Sequence, residues 1–535
     1  MKKPFFLLIF AFIGAICSIT NAQTVRYVKP NATGDGNSWA NAAGNIQNMI
    51  DASIAGDQVW VAVGTYENIE KFNLKEGVNI YGGFLGNETS IDNRTRSDRD
   101  KNGKIEEWEF TNETILKNGI NTETSFAIET IVDGFTVEKC GNGIIAKGKI
   151  LINNCVIRDN TWGIRNEGGT VSNCLITNNK RSEKVTSNIV SSHTLYATGI
   201  QNIAGKVIHC VISDNSVKFD NQDKPRESSI KGGGIYNEKG YIINCLIYGN
   251  SCTIYGDGQQ NRYDRAYGGG VYNDDGFVQN CVVTGNTCYV NARNSSSSLI
   301  SAYGGGIYHY KGVVVNCCVT NNRIRAELNG SVVTESQKGG GIYGGYSDLA
   351  KIYCNTVVNN TQDNISPAVN YTHSYNIIDK DDNLTQNFIN PTLIKGLADY
   401  SQNIDWRLKS GSQYIEAGTL INLPDWIKTG TDLAGHPRVT NGKISLGAYE
   451  YDPNIGIENL NPLNNDIVVY PNPATTELHI QLSNPEPTDY IIYNSIGHMI
   501  QQGKVQENAT VNLELWANGV YFLKVLGAMK KIIKY

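Results

Sequence analysis

The chain has 535 residues, a formal net charge of −5 and 18% charged residues. The chain has no surplus of basic residues that would indicate a nucleic-acid partner. It also has no run of acidic residues that would indicate a disordered tail. The length allows more than one domain, and 55 glycines and 29 tyrosines are typical of many short strands and turns.

Residues 1–22 predict a signal peptide. Lys2 and Lys3 precede an apolar segment at residues 5–16, and residues 20–22 (TNA) supply the small residues of a cleavage site. We therefore expect the mature chain to begin at Gln23 and to reach the outside through the periplasm. No other stretch is long and apolar enough to predict a transmembrane segment.

An amphipathic segment follows at residues 42–54, where Ile46, Met49, Ile50 and Ile54 share one helical face. The first coil of a solenoid exposes its apolar end unless another element covers it. We expect this helix to be an N-terminal cap, followed by a strand at residues 58–66.

Residues 98–109, DRDKNGKIEEWE, fit the calcium-loop template D-x-[DN]-x-[DN]-G-x5-E at every defined position. The pattern predicts a calcium ion held by the side chains of Asp98, Asp100 and Asn102, the carbonyl of Lys104 and both carboxylate oxygens of Glu109. The sequence before the loop gives no clear incoming helix, so a solvated charged turn is the alternative.

A phrase repeats every 36 residues in the middle of the chain. It reads GGGIYNEKGYIINCLIYGN from residue 232, GGGVYNDDGFVQNCVVTGN from residue 268 and GGGIYHYKGVVVNCCVTNN from residue 304. A fixed period indicates stacked units, and apolar alternation over short runs favours strands over helices. We predict an all-β parallel β-helix whose coils span about residues 140–360.

In each copy an aliphatic residue stands ten positions before a cysteine, and an Asn stands five positions after that cysteine. We predict that the aliphatic residues and cysteines stack inside the solenoid, whereas the Asn residues stack at a bend. The three rows are Ile164, Ile200, Ile235, Val271 and Ile307; Cys174, Cys210, Cys245, Cys281 and Cys317; and Asn179, Asn215, Asn250, Asn286 and Asn322. Looser copies flank them, with Ile144, Cys155 and Asn160 before and Ile342 and Cys354 after.

Each long repeat exceeds one coil by an insert that always follows the Asn row. These inserts must project from one side of the solenoid, and we expect loops that build a wall there. They are residues 180–198, 216–231, 251–267, 287–303 and 323–338.

A row of tyrosines runs beside these inserts. Tyr236, Tyr272, Tyr308 and Tyr343 each follow an interior aliphatic residue and are therefore predicted to face outward. Exposed, they would bind sugar rings; packed under the inserts, they would form a structural ladder.

Two further pairs occupy matching positions on adjacent coils. Glu238 and Asp274 are close enough for a catalytic carboxylate pair, although the sequences NEKG and NDDG around them are also ordinary turn sequences. Cys252 and Cys288 each lie seven residues after a row cysteine, a spacing compatible with a disulfide. The seven histidines show no metal-ligand spacing.

The opening of the mature chain and YGGFLGNETS at residues 81–90, taken with the repeats, resemble secreted right-handed parallel β-helix proteins of the pectate-lyase-like superfamily. The resemblance covers residues 23–452 and ends in a closing segment at residues 431–453. It implies a right-handed solenoid. The Asp, His-Gly and Arg-x-Lys signatures of pectin-cleaving members are missing, so the resemblance does not imply their activity.

Residues 453–465 are polar and predict a linker, and residues 466–535 predict a small C-terminal β-sandwich of short alternating strands. YPNP at residues 470–473, NGVYF at residues 518–522 and the final strand KKIIKY closely resemble the C-terminal sorting domain of type IX secretion substrates. That resemblance implies recognition by the type IX machinery, usually removal of this domain, and often attachment to surface lipopolysaccharide. An ordinary accessory sandwich is the alternative.

These observations predict a secreted or outer-surface β-helix protein, a non-catalytic adhesin or glycan-binding protein whose partner is a polysaccharide. The alternative is a polysaccharide lyase or glycoside hydrolase acting on the insert-walled face. Glu238 and Asp274 exposed in a groove beside a basic residue would favour the enzyme, whereas side chains turned into the inserts would favour the binding protein.

Overall fold

A computed structural model describes most of the chain after residue 22. The described residues are 23–102, 104–185, 192–221, 227–257, 263–293, 299–345, 350–358, 360–361, 365–367, 372–374, 377–379, 388–390, 405–421, 423, 425–452, 467–482, 487–494, 499–525 and 528–535. The predicted signal peptide, Gly103 of the calcium loop and the predicted linker lie outside them. Contacts divide the chain into two compact units, Met1–Glu450 and Tyr451–Tyr535.

The first unit is a right-handed parallel β-helix. One turn of the repeat contributes the strands Ile235–Glu238 and Tyr241–Ile243 to a 19-stranded sheet, here called the front sheet, and Leu246–Tyr248 to an 11-stranded sheet, the back sheet. Parallel pairing sets neighbouring strands about 4.8 Å apart, so equivalent residues of successive turns lie beside one another.

The strands of the front sheet are Val25–Val28, Gln58–Ala62, Phe72–Asn73, Asn79–Phe84, Ile120–Asn121, Phe126–Asp133, Asn142–Asn153, Trp162–Glu167, Thr170–Ser172, Ile200–Ile203, Lys206–Ile208, Ile235–Glu238, Tyr241–Ile243, Val271–Gln279, Ile307–Val315, Ile342–Gly344, Ala350–Tyr353, Ile365–Pro367 and Thr372–Ser374. Those of the back sheet are Gly64–Glu67, Thr114–Lys117, Phe135–Glu138, Val156–Arg158, Leu175–Thr177, Val211–Ser213, Leu246–Tyr248, Val282–Thr284, Cys318–Thr320, Thr356–Val358 and Ile377–Asp379.

The N-terminal helix spans Ile46–Ala52 and is shorter than predicted. Ile46 and Ile50 are buried in the solenoid core. Ile54 is 50% exposed, so its predicted place in the apolar face of the cap is wrong. The helix ends early because Ser53 takes an extended conformation and Asp57 accepts a hydrogen bond from the Ile54 N–H at 2.9 Å.

The predicted interior rows are confirmed. Ile164, Ile200, Ile235, Val271 and Ile307 pair in register across successive strands and are at most 3% exposed. The row cysteines from Cys174 to Cys317 are at most 2% exposed. Each donates its S–H to a nearby carbonyl, as the Cys245 Sγ does to the Ile243 oxygen at 3.2 Å. The cysteines therefore act as small buried side chains.

Cys354 does not continue this row, and that prediction is wrong. Val315 pairs with Tyr353, so Asn355 takes the row position and its Oδ1 accepts from the Cys317 N–H at 2.8 Å. Cys354 instead adopts the left-handed conformation (φ 53°) that Asn316 adopts one turn earlier.

The predicted Asn row is also confirmed as structural. The Asn215 Nδ2, for example, donates to the Asn250 Oδ1 of the next turn at 2.9 Å. It also donates to the backbone carbonyl oxygen of Ile176, one turn earlier, at 3.0 Å. A second buried row, not predicted, joins Asn166, Asn202, Asn237 and Asn273 in the same way. These bonds satisfy backbone groups at the bends that water cannot reach.

The inserts are not loops but a second set of stacked strands, here called the lobe. Their predicted boundaries agree with the strands, but their predicted conformation is wrong. Two sheets, parallel except for the short strand Ser331–Val332, pack their apolar faces together, with Phe219, Ile254 and Val290 in a core of their own. One sheet comprises Lys180–Val185, Ser216–Asn221, Ser251–Asp257, Thr287–Arg293, Arg323–Leu328 and Ser331–Val332; the other comprises His193–Tyr196, Glu227–Lys231, Tyr263–Tyr267, Leu299–Tyr303 and Gln337–Lys338.

The repeated triple glycine returns the chain from the lobe to the front sheet. Gly268 adopts φ +67°, a left-handed conformation that strains a residue with a Cβ. A Cβ at Gly269 would lie 2.4 Å from the Gly305 carbonyl oxygen of the next turn. The motif therefore combines a left-handed turn with a close approach between turns.

Within the described residues the remaining elements are few. They are the helix Asp425–Lys428, the 3₁₀ helices Ile91–Asn93 and Thr334–Ser336, and the antiparallel pair Phe388–Asn390 and Asp405–Leu408. None of the helices in the described part of the chain is long and apolar enough to cross a membrane.

The second unit is a small antiparallel sandwich. Leu478, Ile480, Ile492 and Leu523 lie in its shared core. One sheet contains Ile467–Tyr470, Glu477–Leu482 and Asn508–Asn512, and the other contains Thr488–Asn494, Met499–Val505, Gly519–Val525 and Ala528–Lys534.

Candidate functional site

The front sheet carries a group of charged side chains where it meets the lobe. This carboxylate patch consists of Glu238, Asp274, Asp275, Lys231 and Lys311. All five are half-buried. They combine hydrogen-bond acceptors and cations on one face, the functional groups that sugar-binding and sugar-cleaving sites require.

Glu238 and Asp274 are direct partners in the pairing of two adjacent parallel strands, as the sequence predicts. Parallel pairing in register sets their backbones about 4.8 Å apart. The Tyr236 hydroxyl donates to Glu238 Oε2 at 3.1 Å, which fixes one of the two carboxylates. Neither side chain is fully exposed or fully covered.

Asp274 has the more unusual environment. Its Oδ1 is buried and makes no hydrogen bond within the described residues. Burial raises the pKa of this carboxyl group, while the charges of Lys311 and Lys231 act against the increase and that of Glu238 adds to it. An acid of raised pKa beside a second carboxylate is an arrangement suited to proton transfer.

Two lysines complete the patch and were not predicted. Lys231, at the end of a lobe strand, places its Nζ 5.0 Å from the centre of the Tyr272 ring. Lys311 forms an ion pair with Asp275, with Nζ and Oδ2 3.3 Å apart. Aligning the repeats would have found Lys311, because it takes the place of Asp275 one turn later. The sequence does not place Lys231 in the carboxylate patch, because its position depends on how the lobe packs beside the front sheet.

A cavity of about 280 Å³ opens on the same face, close to where the lobe begins. Lys147, Trp162, Arg165, Glu167 and Gln201 contribute to its lining. Glu167 stands two turns before Glu238 in the same row, a distance of roughly 10 Å. The cavity and the carboxylate patch therefore lie along one line on the front sheet.

The predicted tyrosine row faces out of the solenoid core but is buried under the lobe, so its exposure as a sugar-binding row is the alternative that the structure does not support. Tyr236, Tyr272, Tyr308 and Tyr343 are between 1% and 7% exposed. Tyrosines of the lobe cover them, as Tyr267 does at 4.8 Å from the Tyr308 ring. These rings offer no open face to a sugar, and their packing matches the structural alternative.

The predicted calcium loop brings its carboxylates together. Ligand oxygens of Asp98, Asp100 and Glu109 lie within 4.8 Å of one another. Asn102 donates from Nδ2 to the Asp100 Oδ2 at 3.1 Å. Lys104 donates its N–H to the Asn102 Oδ1 at 2.8 Å.

Glu106, the ninth residue of this loop, was missed because the template leaves that position undefined, although calcium loops often use it through a water. It accepts from the Asn102 Nδ2 at 3.0 Å, and its buried Oε2 makes no hydrogen bond within the described residues. Burial and the neighbouring Glu109 raise the pKa of Glu106 to about 7. Burial, together with Glu109 and Asp98, also raises the pKa of Asp100. An all-oxygen set of this kind fits a hard divalent cation.

Cys252 and Cys288 lie side by side in the lobe core. They are direct partners in adjacent strands, both are fully buried, and their sulfur atoms are 3.2 Å apart without a bond. The structure thus brings together the pair that the sequence singled out.

The fold and the terminal sandwich define a class: an exported parallel β-helix protein with a C-terminal sorting domain. Residues 468–535 match the family described as secretion system C-terminal sorting domain. This match indicates export by the type IX secretion system, and hence contact with its machinery, to the cell surface or the extracellular space.

The chain is similar to three proteins named for polysaccharide cleavage. It is 27% identical over 133 residues to beta-agarase A of Zobellia galactanivorans, which covers 23% of this chain. The chain spans about a quarter (25%) of that relative's length. The crystal structure of pectate lyase Pel9A is 14% identical, covering 81% of this chain and 97% of its own, with a TM-score of 0.42. A rhamnogalacturonan lyase is 12% identical over the same shares, with a TM-score of 0.22. The two structural similarities are too distant to carry an argument about function.

Proposed function

We propose that the exported protein is a glycan-binding protein or adhesin that binds a polysaccharide on the front sheet along the lobe. The observation that carries this proposal is the carboxylate patch. Half-buried Glu238 and Asp274 present acceptors beside the donor Lys231, and sugar hydroxyls hydrogen-bond to both kinds of group. The cavity at Lys147 and Arg165 extends the same face.

The similarity to beta-agarase A adds support of a general kind. Its name describes an enzyme that acts on agar, a polysaccharide, and the similar stretch is short. It favours a carbohydrate partner for this chain over a protein or nucleic-acid partner. Retention at the cell surface through lipopolysaccharide, after removal of the sorting domain, would fit an adhesin.

Retention on immobilised acidic and neutral polysaccharides tests the proposal. We expect the exported full chain to be retained by at least one polymer, and Glu238→Gln and Asp274→Asn to weaken retention, because each removes a charged acceptor worth about 1.5–3 kcal/mol. Asp220→Asn, in the lobe sheet that does not contain Lys231, is the matched control and should bind as the unchanged protein does. Variants at the patch that bind as well as the control would contradict the proposal.

A second candidate function is polysaccharide cleavage at the same patch, as a lyase or a glycoside hydrolase. The unpaired, buried Oδ1 of Asp274 and its raised pKa favour it. Hydrolysis of a glycosidic bond requires one carboxyl group that donates a proton and a second that remains ionised. Asp274 would be the acid, and Glu238 the second carboxylate.

The same retention assay separates the two candidates when new reducing or unsaturated ends are counted. Cleavage predicts that such ends accumulate and that Asp274→Asn abolishes them while most retention remains. Retention without any new ends would leave glycan binding as the function.

We also propose that residues 98–109 bind a calcium ion. The support is the complete template, the closeness of the Asp98, Asp100 and Glu109 oxygens, and the unpaired Glu106 Oε2. A bound ion would neutralise the repulsion among these carboxylates and hold the loop against the back sheet, where Arg99 pairs with Glu113 at 2.7 Å.

Calorimetric titration of the full chain with calcium chloride tests this site. We expect one site per chain in the range of extracellular calcium modules, about 10⁻⁴–10⁻³ M. Asp98→Asn and Glu109→Gln should abolish the heat, whereas Glu107→Gln, an exposed neighbour, should leave it unchanged. A titration without heat up to several millimolar calcium would show that the loop is a solvated charged turn.

A further inference from the structure

The core of the lobe contains two thiols whose surroundings differ from those of the main cysteine row. In the main row each sulfur donates to a backbone carbonyl, as Cys210 does to Ile208 at 3.2 Å. In the lobe the near partner of the Cys252 sulfur is the Cys288 sulfur at 3.2 Å, and the Cys288 sulfur lies 3.8 Å from a carbonyl oxygen. Joining these two sulfurs would therefore sacrifice little existing hydrogen bonding.

The backbone geometry also suits a bond between them. Cys252 and Cys288 are paired in register, and parallel pairing separates their Cα atoms by about 4.8 Å. Disulfides join Cα atoms about 4.4–6.8 Å apart. Val217 and Ile324 stand in the same row on either side of the pair, so no third thiol of this row competes.

Export adds the chemical setting. The sorting domain directs the chain out of the cell through the periplasm, a compartment in which disulfides form and persist. We propose that Cys252 and Cys288 form a disulfide that staples two adjacent turns of the lobe. This inference is independent of the function proposed above.

The reaction is a two-electron oxidation by a protein thiol oxidase of the periplasm. The Cys252 Sγ–Cys288 Sγ bond forms, each thiol loses a proton, and the two electrons reduce the disulfide of the oxidase to a dithiol. Burial raises the pKa of the Cys288 thiol in the folded lobe, which makes the reactive thiolate scarce there. Oxidation therefore takes place before the lobe closes.

Thiol counting on the exported full chain tests the staple. The protein is denatured and alkylated with and without prior reduction, and the two masses are compared. We expect two more alkylated thiols after reduction. Cys252→Ala and Cys288→Ala should abolish this difference, whereas Cys245→Ala, in the main row, should preserve it.

A measurement on the unchanged protein covers the case in which a variant fails to fold. Trypsin cleaves after Arg262 and Arg265, so a non-reducing digest should contain residues 240–262 linked to residues 266–293. Because these peptides also carry Cys245 and Cys281, fragmentation of the linked pair in the mass spectrometer should locate the bond at Cys252 and Cys288. Equal alkylation with and without reduction, or a linked pair from other cysteines, would overturn the proposal.

Discussion

At the scale of single residues, the buried Asn side chains of the solenoid form hydrogen bonds between one turn and the next. His309 continues this pattern. It ends the second buried row of Asn residues, which runs through Asn237 and Asn273. The His309 side chain is fully buried, and its Nδ1 accepts a hydrogen bond from the Asn273 Nδ2 at 3.0 Å. A protonated Nδ1 could not accept that bond, and burying the charge of the ring at this fully buried position would cost free energy. The histidine therefore ties the stability of this turn to pH.

The pH dependence has a definite sign. Burial lowers the pKa of His309 from 6.5 to about 4. The unfolded chain consequently binds a proton more readily than the folded one, so the stabilisation is present above pH 6.5 and is lost as the pH falls towards 4. The shift corresponds to roughly 3 kcal/mol.

Chemical denaturation at pH 7 and pH 4.5 measures this effect. We expect His309→Asn, which restores the amide found on the other turns, to lose less stability between the two pH values than the unchanged protein does. An identical loss in both proteins would mean that His309 is not the group responsible.

At the scale of elements, the lobe decides what the front sheet can expose. It covers the tyrosine row and delivers Lys231 to the carboxylate patch. Polar side chains lie at the first turn of the lobe, which forms one edge of its sheets. There the His193 Nε2 is 2.9 Å from the Glu183 Oε1, and the His193 ring stacks on the Phe219 ring. Charged side chains at such an edge discourage pairing with other chains.

A core substitution tests whether the lobe is a packed unit. Ile254 is fully buried between the two lobe sheets, so Ile254→Ala should cost about 2–5 kcal/mol of local stability through the cavity it leaves. Hydrogen exchange should rise in the lobe strands while the main cysteine row stays protected. Thr253→Ala, on the outer face of the same strand, is the control and should leave exchange unchanged. Protected lobe amides in Ile254→Ala would contradict a separate lobe core.

The sequence revealed the register of the solenoid more readily than the conformation of its inserts. Identical spacing from Ile235 to Cys245 on successive turns is a local signal, and stacking follows from it directly. The inserts carry an alternating signal too, in Cys288, Val290 and Ala292, but each run is short and is broken by polar residues. For the tyrosines the sequence left exposure and burial as alternatives, because the outcome depends on the lobe folding back over the sheet.

The candidate site was predicted in part for the same reason. The spacing of the repeat predicts that Glu238 and Asp274 lie side by side. The continuous calcium-loop template predicts that Asp98, Asp100 and Glu109 lie together. Lys231 joins the patch only through the path of the lobe. Site residues contributed by one repeated phrase or loop were visible in the sequence, whereas those contributed by packing between elements were not.

At the scale of the whole molecule, the chain combines a parallel β-helix with a separate C-terminal sorting domain. The boundary between the two compact units falls between Glu450 and Tyr451 in the sequence, and each unit has its own apolar core. Their separate cores imply that each folds without the other.

Removal of residues 467–535 tests whether the β-helix folds by itself and whether the sorting domain is needed for export. We expect the shortened chain to keep the circular dichroism and unfolding behaviour of the β-helix but to remain in the periplasm, because the type IX machinery recognises the sorting domain. Cell fractionation measures the location, and Ile500→Ser, an exposed change within the sorting domain, controls for minor disturbance. Surface display of the shortened chain would refute the assignment of the export signal.

The most direct test of the account is the position of the sulfur atoms, because the stacking of turns places every candidate residue. An experimental map with anomalous sulfur signal should show the sulfurs of Cys155, Cys174, Cys210, Cys245, Cys281 and Cys317 in one line, separated by about 4.8 Å. That result would set Glu238 beside Asp274 and Cys252 beside Cys288. Scattered sulfurs, or sulfurs on the surface, would contradict the solenoid and the sites built on it.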